Sequence, residues 1–107
     1  MSIDEIKWSS SEKKIARTAF DKAYKNEIEE IKNTIKEKTK NIENASDLWS
    51  LHNYLSKRRK EIDRKYDYRY SQLLFIFSTL ISQNYISESD LLGFSEEKIA
   101  IIQRLID

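Results

Sequence analysis

The sequence predicts an all-α fold, a long antiparallel helical hairpin followed by a small C-terminal helical head. Three observations lead there. The 107 residues include Pro 0 and Gly 1, so long stretches run without a helix breaker. Apolar residues recur at helical spacing, as in Tyr24, Ile28, Ile31, Ile35 and Ile42, whose steps of 4, 3, 4 and 7 have a coiled-coil-like rhythm. From Leu73 to Ile81 the apolar stripe widens to nearly every side, which requires other elements wrapped around it.

Met1 to Lys7 reads as a loose lead-in. Ser9 with Glu12 fits a capping box, so the first helix should run from about Ser10 to Asn41. Its inner positions are Ile15, Ala19, Phe20, Ala23 and Tyr24, then Ile28, Ile31, Ile35 and Ile42, separated by Lys, Glu and Asn. So narrow a stripe suits a helix with one partner face. Asn41 to Ser46 is a short polar connection, and Ser46 or Asp47 can cap the second helix by accepting from its free N–H groups. No breaker follows until Gln83 or Asn84, which predicts one continuous helix of roughly 55 Å. Tyr66-Asp67-Tyr68-Arg69-Tyr70 alternates as a strand does, but Tyr66, Tyr70, Leu73, Phe77 and Leu80 keep the helical spacing and no turn residue closes a hairpin. In the tail, Ser87 can cap a short Glu88-to-Leu92 helix ending at Gly93, a natural C-terminal cap. Ser95 then caps a last helix with Ile99, Ile102, Leu105 and Ile106 inward and Glu96 and Glu97 in its first turn. The expected organisation is one domain over residues 1–107, with a hairpin over 8–72 and a head over 73–107.

Composition excludes several function classes. Lys+Arg 19 against Asp+Glu 18 leaves a net charge of +1, without the basic excess of a nucleic-acid binder. Cys 0 removes disulfides, thiolate nucleophiles and sulfur metal sites, and His 1 cannot build a His-based metal centre. A single Gly allows no Gly-rich phosphate loop. Met1 to Glu5 lacks the basic and apolar segments of a signal peptide, and Leu73–Ile81 is far short of the ~20 residues that cross a bilayer. The expectation is a soluble cytoplasmic protein with no cofactor, no metal and no catalytic chemistry.

The stretch from Asp47 to Asp67 is the most informative. At ~100° per residue, Leu48, Leu51, Leu55, Ile62 and Tyr66 share one face of a helix, while Trp49, His52, Asn53 and Ser56 share the next. Arg59 falls on the border. A helix built only to pack would not place the sole His and an Arg beside a buried seam. Trp and Arg are the residues that most often dominate interface energetics, and the guanidinium fork suits a partner carboxylate. Lys57-Arg58-Arg59-Lys60, apart from Arg59, reads as a solvated face, with Lys57, Glu61 and Lys65 pairing along it for ~0.2–0.5 kcal/mol each. The Ile28, Ile31, Ile35 ridge and the Leu48, Leu51, Leu55 ridge together offer more apolar surface than one hairpin covers. At ~25 cal/mol per Å² this predicts a two-fold homodimer through the hairpin.

The run Asp47-Leu48-Trp49-Ser50-Leu51-His52-Asn53-Tyr54-Leu55-Ser56-Lys57-Arg58-Arg59-Lys60-Glu61-Ile62-Asp63-Arg64-Lys65-Tyr66-Asp67 resembles the fluorescence recovery protein family. That family's pattern is close to D-L-W-x-L-H-D-aromatic-L-S-x-K/R-R-x-E-I-D-x-K-Y-D. The likeness extends upstream through Trp8-Ser9 and Ala19 to Tyr24, and downstream through Leu73 to Ile81 and Leu91 to Ile99, without an obvious gap. One position departs: the acidic residue after the His is Asn53 here. The resemblance implies a hairpin homodimer that acts on the orange carotenoid protein, a light-activated quencher of the phycobilisome antenna. It implies that Trp49, His52, Asn53 and Arg59 belong to the acting surface, and that Phe75 matches an aromatic docking position in the head. The expected action is to bind the active red form, detach it and speed its return to the resting form without making or breaking bonds. It also implies a location in the cytoplasm or at the cytoplasmic side of the thylakoid membrane. Asn53 keeps an alternative open, a helical dimer of the same fold that binds another protein with little or no recovery activity.

Overall fold

The computed structural model describes residues 6–107, so most of the predicted lead-in lies outside the described residues. In chain order it has α1 (Ser10–Lys40), α2 (Ala45–Lys65), α3 (Leu73–Ser82), a 3-10 turn (Glu88–Leu91) and α4 (Glu96–Ile106). No strand occurs among the described residues.

The capping box at α1 is present. Glu12 N donates to Ser9 Oγ at 3.1 Å, and Ser9 N donates back to Glu12 Oε1 at 3.0 Å. Cap placement at α2 differs from expectation. Asn44, not Ser46 or Asp47, is the cap, its Oδ1 accepting from Asp47 N at 3.0 Å while its backbone stays extended. A cap works from outside the helix, so Ala45 and Ser46 already belong to the first turn.

The predicted continuous second helix is broken. Tyr66, at φ −88 and ψ 68, leaves the helical region, and helix resumes only at Leu73. The cause lies in the tyrosines. Alternate residues of a helix point to opposite sides, whereas in extended chain they point the same way. The break lets Tyr66, Tyr68 and Tyr70 all reach α1 and the segment before it. Tyr66 stacks edge-on against Phe20 at 5.3 Å and Tyr68 against the same ring at 4.9 Å, while Tyr70 meets Trp8 at 5.6 Å. The strand-like alternation at this point was a real signal of non-helical chain.

The head's core joins the first half of α1 to everything after the break. Ala16, Ala19 and Ala23 give α1 a small-residue face that lets α3 approach closely with Leu73, Phe77 and Leu80, and Leu91, Phe94 and Ile102 close the other side. α4 does wrap α3 as expected, with one change: Leu105 points outward at 40% exposure, and Ile101 packs on the core instead. Glu12 also ties α1 to α4. Ser95 N donates to its Oε2 at 2.9 Å, and the buried Lys98 Nζ donates to its Oε1 at 3.2 Å and to the Lys7 carbonyl at 2.7 Å. Burial pushes the Glu12 carboxyl upward, but the Ser9 and Ser95 N–H groups and Lys98 outweigh it and bring it down to about 2. Gly93 ends the 3-10 segment at φ +106, and a Cβ there would overlap Ile15 Cδ1. Only glycine fits both demands.

Beyond the head, α1 and α2 project as an arm. The molecule measures 55 × 25 × 23 Å with a radius of gyration of 16.9 Å, against about 13 Å for a compact chain of this length. Its accessible surface is 7353 Å², where about 6300 Å² is usual for a monomer of this mass. Among the described residues, no helix is long and apolar enough to cross a membrane.

Candidate functional site

Every predicted site residue of α2 lies on the arm, and only Ile62 of this helix is buried. Trp49 is 61% exposed, and His52, Asn53 and Ser56 stand exposed beside it at the i+3, i+4 and i+7 positions. Arg59 lies farther along the same side with its side chain 84% exposed, its Nε reaching Asp63 Oδ2 at 3.7 Å within the helix. The structure thus gathers Trp49, His52, Asn53 and Arg59 along one edge of the arm. Phe75 is not part of that edge. It sits on α3 in the head, across the 66–72 break, and is 40% exposed.

The apolar ridge is next to the patch. Leu48 is exposed, Leu55 is 42% exposed, and Ile28, Ile35 and Leu51 are half-buried. Ile31 is the exception, already buried against the arm's own second helix. Tyr24, Ile28, Ile31, Leu55 and Ile62 line an open groove of about 340 Å³ between α1 and α2, with Arg58, Arg59 and Asp63 at its edges.

Two neighbouring residues exchange roles relative to expectation. Arg58, read as part of a solvated run, is the largely buried arginine, and its Nη2 donates to Glu27 Oε2 at 2.8 Å. Lys65, read as pairing along the outer face, turns inward to Glu27 Oε1 at 2.6 Å and to Gln83 Oε1 at 2.7 Å. Tyr66 Oη donates to the same Glu27 oxygen at 2.8 Å. Glu27 itself is 1% exposed. Burial, and then the bond to Glu27, pushes the Tyr66 hydroxyl far above its ordinary value, so it stays a donor. One signal for this cluster was present: Glu27 continues the i+4 series of Ala19 and Ala23 toward Ile31, so a charge interrupts an otherwise apolar stripe. A charge on a buried stripe requires partners.

Among the described residues, no group of three or more His, Asp or Glu side chains is arranged to hold a metal ion. The chemistry on display is an exposed aromatic, an imidazole, an amide and a guanidinium on one rigid helix. That describes an all-helical scaffold with an exposed patch of mixed chemistry along its arm. Residues 8–106 match the family described as photoprotection regulator fluorescence recovery protein. The chain is 35% identical over 101 residues to the fluorescence recovery protein of Synechocystis sp., covering 94% of this chain and 93% of that one. Among solved structures, the Fremyella diplosiphon fluorescence recovery protein matches at 41% identity and TM-score 0.89, over 92% of this chain and 97% of that one. The Synechocystis structure matches at 34% identity, with the same TM-score of 0.89 and the same coverage of 92% and 97%. The chain belongs to the fluorescence recovery protein family, a family of photoprotection regulators.

Proposed function

We propose that this protein is a homodimeric, non-enzymatic regulator that binds the active orange carotenoid protein and accelerates its return to the resting form, ending phycobilisome quenching. It works in the cytoplasm, at or near the thylakoid surface. The observation that carries this reading is the exposed patch of Trp49, His52, Asn53 and Arg59 on an arm whose own packing uses none of them. Membership of a photoprotection-regulator family supports this choice of partner. Acceleration without chemistry requires the dimer to bind the barrier state of the carotenoid protein more tightly than its active state. Phe75 on the head forms a second contact for the same partner.

Dimerisation rests on area. The protomer exposes about 1000 Å² more than a compact chain of its mass, close to the ~800 Å² each partner contributes to a standard interface. The exposed parts of Ile28, Ile35, Leu48, Leu51 and Leu55 form the apolar centre of that surface, with Ile31 buried beneath them.

Asn53 favours a second reading, a helical dimer bound to a different protein. It keeps the shape of the family's acidic residue but not its charge. Absorbance recovery of photoactivated carotenoid protein in the dark separates the two. The regulator reading expects acceleration by the wild type, and more by Asn53→Asp, where a charge-assisted hydrogen bond near His52 and Arg59 contributes ~1.5–3 kcal/mol. No acceleration by either variant overturns it and leaves the second reading standing.

A further inference from the structure

The arm and the head meet at a polar joint. Around the buried Glu27 carboxylate of α1 stand Arg58, Lys65 and Tyr66 from the end of α2, at 2.8, 2.6 and 2.8 Å. The turn that leaves α3 joins them from the head. Lys65 also donates to Gln83 at 2.7 Å, Arg58 reaches Tyr85 Oη at 3.4 Å, and Asn26 Nδ2 donates to the Tyr85 carbonyl at 2.8 Å. Asn84, between them, sits at φ 66, a conformation that asparagine adopts more readily than most residues. Tyr66 also packs edge-on against Phe20 and Tyr24, each at 5.3 Å, and Tyr85 belongs to the core, while Ile31 and Ile62 are the buried apolar side chains along the arm itself. Hydrogen bonds have direction, whereas apolar contacts tolerate sliding. α1 runs unbroken through both head and arm, so one carboxylate shared by three donors fixes how the end of α2 seats on that helix, beside the turn that leaves α3.

We infer that Glu27 is a positioning residue that holds the arm patch and the head in one register, so that Trp49 and Arg59 on α2 and Phe75 on α3 meet the same partner together. This rests on the proposed function for the identity of the partner, not for the existence of the joint. Two contacts on a rigid body gain from each other because the second forms at high effective concentration. A loose joint forfeits that gain even with every patch residue in place.

Distances measured between spin labels test the joint directly. The chain has Cys 0, so Ser50→Cys on the exposed arm and Gln103→Cys on the exposed face of α4 place two nitroxides uniquely. Labelled chains are diluted in excess unlabelled chain, so that only distances within one chain are read. Wild-type joint residues should give one narrow distribution, and Glu27→Gln, which keeps the shape but not the charge, should roughly double its width at unchanged helicity. An equally narrow distribution overturns the inference. If Glu27→Gln fails to fold, Tyr66→Phe, which removes one donor, decides in the same way: broadening supports the joint and no broadening overturns it. Affinity for photoactivated carotenoid protein is measured in parallel and should fall about tenfold in the loosened variant. Loosening with unchanged affinity overturns the coupling of arm to head. A wild type that does not bind the carotenoid protein overturns the proposed function alone, and the distance widths still judge the joint.

Discussion

Trp49 leaves most of its ring in water, although burying a side chain of this size is among the largest single contributions to an interface. Arg59 is held only by a long contact to an exposed Asp63, an ion pair of little strength. Neither supports the protomer. Trp49→Leu and Arg59→Leu should therefore leave circular dichroism and dimer mass unchanged while weakening partner binding about tenfold, or about 1.4 kcal/mol. Loss of dimer mass in either variant would reassign that residue to the protomer–protomer contact. Glu12 is the opposite kind of residue, nearly inaccessible and working for stability. Its carboxyl is lowered from 4.5 to about 2, so its contribution is fully present above pH 4.5 and is lost as pH falls toward 2. The full effect is roughly 3 kcal/mol. Urea unfolding at pH 6 and at pH 2.5, at one protein concentration, should show the gap between wild type and Glu12→Gln shrinking as pH falls.

At the scale of elements, the break between α2 and α3 and the stop at Gly93 shape the head. A straight helix would carry the residues after Tyr66 away from α1; the turn over 66–72 brings Leu73 and Phe77 back onto the alanine face. Helical spacing of apolar residues persists through this segment, which is why periodicity alone read it as helix. The alternating tyrosines carried the correct information, but only the rings of Phe20 and Trp8 give them a common target. Gly93 has no such ambiguity. Gly93→Ala combines a positive φ with an overlap at Ile15, and should cost roughly 2–3 kcal/mol, read as a lower urea midpoint with far-ultraviolet helicity retained.

The whole molecule is an elongated body with its apolar ridge in the open. Ile31 is a poor place to test dimerisation, because it is already buried in the protomer and a charge there would disturb the arm itself. Leu55 is better: at 42% exposure a charge remains hydrated in a single chain but not under a second copy. Leu55→Glu should convert a dimer to a folded monomer in light scattering, because an unpaired charge buried in an interface costs several kcal/mol. A wild type that scatters as a monomer at tens of micromolar would end the dimer reading.

The sequence by itself determined the helical class, the capping box at Ser9, the cap at Ser87, the stop at Gly93 and the family. These depend on neighbours within a few residues or on the chain read end to end. Tertiary structure alone decided which of two adjacent arginines is buried. Arg58 and Arg59 differ by ~100° around one helix, and both border the same apolar stripe. Periodicity locates that stripe but not the neighbour that meets its edge. Glu27, 31 residues earlier on another helix, is that neighbour and draws Arg58 inward. Arg59 stays in solvent. The break at Tyr66 has the same origin: rings from α1 and the segment before it, distant in sequence, offered more than another turn of helix could.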